Sequence, residues 1–455
     1  SRQTDCPPDV QAFKKVLKQH LALQPAMVAN RGRHNPGAGS FSFFEEASGK
    51  LPTGDKLEPG SFFFGHFTEA RGSEIVLQKE PADGALMIEA IAQDFKTGLY
   101  HFYELIGDGV SGQWFYRGSS LDALKDNEYL YRASPPGQPH FGRTMRCSGC
   151  HSSGGPIQKE IASPFNDWWT QARPLPFGTL TLSPEVGLVV AGLVETQHFS
   201  RSVSQGMQRL EASAEYQKAK QSRSLQEELR PLFCETEINL ESDLEPLGGA
   251  AKQVRIPSAF YLNPVLGQGE FTVDKARYLQ LLKDFKMRFP ETQFADADHA
   301  WLTPVKAQAD LLAIESLIRN GTVDAEWVAD VLAVDFESPI FSQSRCALLR
   351  LVPADRQNWK RRFESALAGS SLPGAAALLT NFSDSSRDQA FHKAKALAYV
   401  QDSQKRLLDP AGQKEAFERL LRAREAVARA EISQNPLGRI LEPGFRVIFP
   451  IRQGN

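Results

Sequence analysis

The spacing of apolar positions changes character along the chain. In residues 8–24, Val10, Phe13, Val16, Leu17 and Leu21 recur at three-to-four spacing, which predicts a helix. Arg31 to Gly60 is rich in Gly, Pro and Ser and reads as irregular loops. From Gly60 to Tyr116 the runs become strand-sized: Ser61–Phe67, Glu74–Gln78, Ala85–Ala92, Leu99–Ile106 and Gln113–Arg117. Asp83-Gly84, Thr97-Gly98 and Ser111-Gly112 precede three of them as turn dipeptides, so the segment predicts an antiparallel meander.

Beyond about Ser200 the pattern turns helical. Met207–Leu229 is charged and helix-forming, and Lys275–Phe289 carries Tyr278, Leu279, Leu282 and Phe285 before Pro290. Asp310–Arg319 and Ala325–Val334 meet at Asn320-Gly321, and Lys414–Glu431 carries one apolar stripe. The predicted class is α+β. A strand-rich N-terminal domain spans 1–200, with strands over 60–117, and a mostly helical domain spans 201–455. Ser200–Gly206 has the composition of a linker between them.

The chain has 455 residues, more than one ordinary core holds. At 41% hydrophobic and 23% charged it can bury a core, which excludes disorder as the dominant state. The apolar run Val189–Val194 is strand-sized, and no run approaches the roughly 18 residues of a membrane span. With 52 basic against 54 acidic residues there is no basic excess, so nucleic acid is not an expected partner.

The decisive chemistry lies in Cys147-Ser148-Gly149-Cys150-His151. This C-x-x-C-H pattern is the attachment signature of c-type haem. Two thiols at that spacing each add across one vinyl group, and the following imidazole reaches the iron. Cys147 and Cys150 are therefore the expected thioether anchors of one covalent haem c, and His151 the proximal iron ligand. A zinc site would need two further ligands, and no second C-x-x-C or suitably spaced His pair occurs. Gly154-Gly155-Pro156 can turn a backbone carbonyl toward the His151 Nδ1–H, leaving Nε2 for the iron.

A strand meander ahead of the motif resembles the cytochrome P-460 family, whose β-rich fold also carries C-x-x-C-H near its end. The likeness covers Gly60 to Gly155. It rests on Glu89-Ala90-Ile91-Ala92-Gln93-Asp94, Gln113-Trp114-Phe115-Tyr116 and the motif itself. It implies redox chemistry on small nitrogen compounds. That family tethers a lysine to the macrocycle from an upstream strand; here Ser61–Phe67 holds Gly65 and His66 and no lysine, and Lys79 is the nearest.

The distal candidates are Met87 and His66, with His101 weighed beside them, each set in a strand of the same region; a plain core or half-exposed role is the competing reading. Met145 stands too close to the motif to swing over the haem. Asp296-Ala297-Asp298-His299 is too poor in acids for calcium, and Gly107-x-Gly109-x-x-Gly112 joins two strands and so reads as a hairpin loop. Of Cys6, Cys234 and Cys346, two can pair: Cys234 with Cys346, or Cys6 with either.

Haem c is attached on the oxidising side of the cytoplasmic membrane. The expectation is an exported, periplasmic protein whose signal peptide has been removed before Ser1. The functional expectation is a mono-haem c-type cytochrome, a redox protein passing electrons to a partner protein or oxidising or reducing a small-molecule substrate at the iron. The alternative is a haem-based gas or redox sensor, or a scaffold, whose helical half docks a partner.

Overall fold

The computed structural model describes residues 6–29, 41–67, 85–107, 111–130, 151, 153–156, 168–171, 183–234, 238–243, 249–286, 300–306, 308–339, 342–383 and 389–433. The chain is α+β and divides into two units, one ending at Lys220 and the other beginning at Gln221.

The first unit opens with α1 (Val10–Leu17), capped by Asp9, whose carboxylate accepts the Ala12 N–H at 2.8 Å. A seven-stranded antiparallel sheet follows: β1 (Leu21–Ala29), β2 (Phe41–Lys50), β3 (Lys56–Leu57), β4 (Phe62–Phe67), β5 (Ala85–Gln93), β6 (Tyr100–Gly107) and β7 (Gly112–Ser119). Its order is β1-β2-β4-β5-β6-β7, with β3 paired to β2. The meander expected over 60–117 is present as β4 to β7. It is two long strands wider than expected, because β1 begins at Leu21 and β2 occupies part of the stretch read as loops. The run Glu74–Gln78 lies outside the described residues.

Alternation gives the sheet two distinct faces. On one face Phe64, Ala90 and Leu105 pack under Val10, Phe13 and Leu17 of α1. The other face carries Phe63, Ile91 and Phe102, which lie opposite one another on β4, β5 and β6. Beside them runs a second row, Phe44, Gly65, Glu89 and Glu104, on β2, β4, β5 and β6. We call this second side the helix-covered face, because α4 packs on it.

After β7 come α2 (Ser120–Leu130), α3 (Pro184–Ala191), α4 (Thr196–Ala212) and α5 (Ala214–Ser222). The apolar run near Val189 is thus largely helical: Ser183 caps α3, and Val186, Val189 and Val190 pack on Met27 and Phe43. Ser200–Gly206 lies inside α4 and does not act as a linker. Its small residues serve close approach: a Cβ on Gly206 would sit 2.3 Å from the Tyr100 hydroxyl and 2.7 Å from the Gly60 carbonyl. Because α4 is built into the sheet in this way, the division between units falls at 220/221 and not at 200/201.

The second unit contains α6 (Leu225–Phe233), β8 (Ile238–Glu241), β9 (Gln253–Ile256), β10 (Phe271–Asp274), α7 (Lys275–Asp284), β11 (Thr303–Lys306), α8 (Gln308–Arg319), α9 (Ala325–Leu332), α10 (Gln343–Leu348), α11 (Trp359–Ala368), α12 (Ala375–Ser383), α13 (Gln389–Arg406) and α14 (Pro410–Ser433). Its four short strands form two antiparallel pairs. The helices share one core that includes Phe233, Trp301, Trp327, Phe363 and Phe417. Ser224 breaks the charged stretch after Met207 by capping α6, accepting the Glu227 N–H at 3.2 Å. Cys234 and Cys346 form a disulfide with Cα atoms 4.6 Å apart, and Cys6 is a free thiol.

Candidate cofactor site around His151

Cys147 and Cys150 lie outside the described residues; His151 and the turn 153–156 lie within them. The His151 ring is buried, 9% exposed, and packs against Phe102 of β6 at a centroid distance of 5.3 Å. Its Nδ1 is 2.8 Å from the Gly155 carbonyl oxygen. A carbonyl only accepts, so Nδ1 carries the proton and the imine lone pair is on Nε2. The turn anticipated from Gly154-Gly155-Pro156 supplies this carbonyl.

The turn is held from three directions. The Gly154 N–H donates to the His151 carbonyl at 2.8 Å, closing the loop on itself. Ser120, fully buried at the start of α2, accepts the Tyr100 N–H at 2.8 Å and donates its hydroxyl to the Gly154 carbonyl at 2.6 Å. The first residue of β6 is thereby wired through one hydroxyl to the loop that orients His151. From the helical layer, the Tyr216 hydroxyl of α5 donates to the Ser153 carbonyl at 2.5 Å.

Glycine is required at the first of these loop positions and tightly packed at the second. Gly154 has φ +74°, and a Cβ there would meet the Ser120 carbonyl at 2.6 Å. A Cβ on Gly155 would lie 2.2 Å from the sulfur of Met207 in α4. The Met207 sulfur thus packs against the turn at Gly155; it is also 4.0 Å from the Ser153 hydroxyl.

Along β6, two residues past Phe102, stands Glu104, 2% exposed. It accepts from Arg117 Nε of β7 at 2.8 Å, and the Arg117 guanidinium lies 4.6 Å from the centre of the Phe115 ring. Glu89 is directly opposite Glu104 on β5. The helix-covered face therefore offers an aromatic wall at Phe102 and a charged pair beside it. It also holds Trp168, which is fully buried against Phe44 and Phe199 and whose indole N–H finds no acceptor among the described residues.

Met87 and His66 are not brought to His151, and His101, next to Phe102 on β6 and so on the opposite face, lies 2.9 Å from the Tyr116 hydroxyl. His66 lies opposite Phe43 and Ile88, on the α1 face, and its Nε2 is 2.6 Å from Glu45 Oε1. Glu45 also takes an ion pair from the buried Lys14 of α1. Met87 falls at a bulge of β5 and joins the apolar cluster with Phe64, Leu105 and Trp114, the core role weighed against it from the sequence. Met145 and Asp296–His299 lie outside the described residues. Among the described residues no group of three or more His, Cys, Asp or Glu side chains could hold a metal ion, and no helix is long and apolar enough to cross a membrane.

Sequence reasoning did not find Ser120, Tyr216 or the Glu104–Arg117 pair. Their signal was available only in part: once β6 is placed, alternation puts Tyr100, Phe102 and Glu104 on one face, but their partners come from distant segments.

These residues fit a haem c. The sequence motif offers two thiols at the attachment spacing, the His151 ring is held through its Nδ1, and the same face offers an apolar wall and a buried donor with no acceptor among the described residues. The chain matches no family model, no curated protein and no solved structure.

Proposed function

We propose that the protein is an exported, mono-haem c-type redox protein that oxidises or reduces a small molecule at the iron. When bound, the haem supplies a redox-active metal. Cys147 and Cys150 would anchor it, and His151 would ligate the iron through Nε2. The observation that carries this reading is the His151 Nδ1–Gly155 bond directly after the C-x-x-C-H motif. Such a bond raises the basicity of the ligating nitrogen and keeps the ring from turning.

Small-molecule chemistry is favoured over plain electron carriage by where the side chains lie. Met87 and His66, the candidates for a sixth ligand, belong to the face of the sheet away from Phe102 and His151. Glu104 and Arg117 share the face of Phe102, where they would orient a polar substrate and hold water out. The meander ahead of the motif supports a likeness to the cytochrome P-460 family. β4 holds no lysine, so no tether to the macrocycle is proposed from that strand. The Cys234–Cys346 disulfide supports an oxidising compartment such as the periplasm.

The second unit has its own core. That favours, as the second reading, a sensor or scaffold whose helical half docks a partner protein.

The test is expression with c-type maturation machinery, followed by mass spectrometry and optical spectra. One haem mass on the peptide holding Cys147 and Cys150, and a high-spin ferric spectrum that changes on adding small ligands, are expected. A peptide with two free thiols would overturn the haem; a six-coordinate His/Met spectrum would overturn the open iron. Turnover of no candidate substrate, with retained ligand binding, would transfer support to the sensor.

A further inference from the structure

Trp168 is fully buried, yet its indole N–H has no hydrogen-bond acceptor among the described residues. Buried donors are nearly always paired, because an unpaired one loses its bond to water and gains none in return. The segment is not loosely placed. The Trp169 N–H donates to the Met27 carbonyl at 2.9 Å, the Thr196 hydroxyl donates to the Trp169 carbonyl at 2.9 Å, and the Gln171 N–H donates to Glu195 at 3.1 Å. Three hydrogen bonds, one to β1 and two to the start of α4, thus hold an unsatisfied donor in place.

The neighbouring rings do not take the proton. An N–H donates to an aromatic face when it points at the ring centre, which requires the two rings to be close to perpendicular. Phe44 is inclined by 45° and Phe199 is stacked at 30°.

The position narrows the acceptor. Phe44 belongs to the row Phe44, Gly65, Glu89, Glu104 on the helix-covered face. His151 packs on Phe102, in the adjacent row of that same face. From β2 to β6 is three strand spacings, about 14 Å. A tetrapyrrole with its two carboxylate arms is an object of that size. It also brings the kind of acceptor an indole N–H bonds most strongly, an ionised oxygen.

We propose that Trp168 is a cofactor-binding residue whose indole N–H donates to a propionate oxygen of the haem. The inference rests on the haem c reading. A free oxyanion would offer the same chemistry, and the experiment separates the two sources.

The full chain, matured with haem c, is compared with Trp168→Phe, which keeps an aromatic ring and removes the N–H. In the native protein the propionate bending band in the resonance Raman spectrum shifts on transfer to deuterated water. In Trp168→Phe that isotope shift is lost, and the reduction potential falls because the carboxylate charge is felt more fully at the iron. In a protein labelled at its tryptophan nitrogens, the Trp168 indole signal of the native chain is displaced downfield and exchanges about tenfold more slowly than an unbonded indole, the factor an ordinary net hydrogen bond supplies. This last measurement decides the matter even if the variant folds poorly.

Unchanged propionate bands, together with an indole signal at its unbonded position, overturn the inference and leave the haem reading intact. An indole signal that moves only when nitrite or phosphate is added assigns the donor to a free anion and overturns it equally. Absence of covalent haem removes both readings together.

Discussion

His66 and His151 belong to opposite faces of one sheet. His66 lies opposite Phe43 and Ile88 under α1, while His151 packs on Phe102, whose cross-strand neighbour Ile91 pairs with Phe63 on the other side. The separation follows from strand alternation alone: Gly65 and His66 are successive residues, so only one of them can face the His151 side. The sheet therefore carries the buried Lys14–Glu45–His66 triad on one surface and the proposed haem ligand on the other.

The triad makes stability depend on pH. Burial drives His66 below its ordinary value of 6.5, against the pull of Glu45, so the ring is neutral near pH 7 and donates to the carboxylate. In the unfolded chain His66 takes up a proton as pH falls past 6.5, whereas the buried ring resists until lower pH. The unfolded state binds more protons in that window, so stability drops as pH falls below about 6.5. Burial also pushes Glu45 upward, but the His66 hydrogen bond and the Lys14 charge outweigh it and hold it below 4.5, which adds an acid-side loss of the same sign. Thermal midpoints from about pH 8 down to 4 should be level and then fall, and His66→Phe should flatten the upper part of the fall. A midpoint that rises below pH 6.5 would contradict this account.

Lys14→Met should be the costliest single change in the triad. It leaves the Glu45 carboxylate buried without its cation, and breaking such a pair costs about 3–5 kcal/mol. Urea unfolding monitored by circular dichroism provides the measurement. A loss under 1 kcal/mol would mean that water reaches Glu45 when the ammonium is removed.

Gly155 and Met207 should be energetically coupled. Gly155→Ala sets a methyl group 2.2 Å from the Met207 sulfur, an overpacking worth about 1–3 kcal/mol. Met207→Ala empties the same space at a cost of about 2–5 kcal/mol. The double variant should be more stable than the sum of the two predicts by about 1 kcal/mol or more. Strict additivity in denaturant titrations would show that the loop relaxes away from α4.

Glu104→Ala removes a carboxylate that is 2% exposed and bonded to Arg117. The expected loss is about 3 kcal/mol, because the guanidinium charge stays in a half-buried setting. In the haem-loaded protein the same change should weaken the binding of polar ligands at the iron relative to carbon monoxide. Equal weakening of both would assign Glu104 a structural role alone.

Opening the Cys234–Cys346 bridge releases two cysteines 112 residues apart in sequence. By loop-closure entropy its removal should lower stability by about 2–4 kcal/mol. Comparing urea midpoints of the oxidised protein and Cys346→Ser tests this, and equal midpoints would mean that the bridge adds no net stability.

The strands β4 to β7 were legible because Gly-containing turns separate runs of aromatic and β-branched residues, and their pattern follows the faces they bury. β1 and β2 were hidden by the very residues that give the first unit its buried charges. Glu45 and Glu46 are 1% and 3% exposed, one bonded to Lys14 and His66, the other accepting the Gly60 N–H at 2.7 Å, so polar letters stand where burial would be read as apolar. β1 also contains Pro25, which it accommodates as an edge strand of the sheet. Ser202 and Gly206 suggested a linker because their small side chains serve a close helix-to-sheet contact that composition alone does not reveal. At the site, the motif and its turn were local and therefore readable. The groups that lock the turn were not, since Ser120, Met207 and Tyr216 are scattered through the chain.

That scatter has a consequence in time. Met207 and Tyr216 follow His151 by more than fifty residues, and the loop is held by both. A chain emerging N-terminus first presents Cys147 to His151 before the helices that clamp the loop exist. The sheet can assemble, and Ser120 can reach Gly154, while the helical side of the loop is still open. If the two cysteines take a haem as proposed, its attachment would have an interval before α4 and α5 dock on the 153–155 turn.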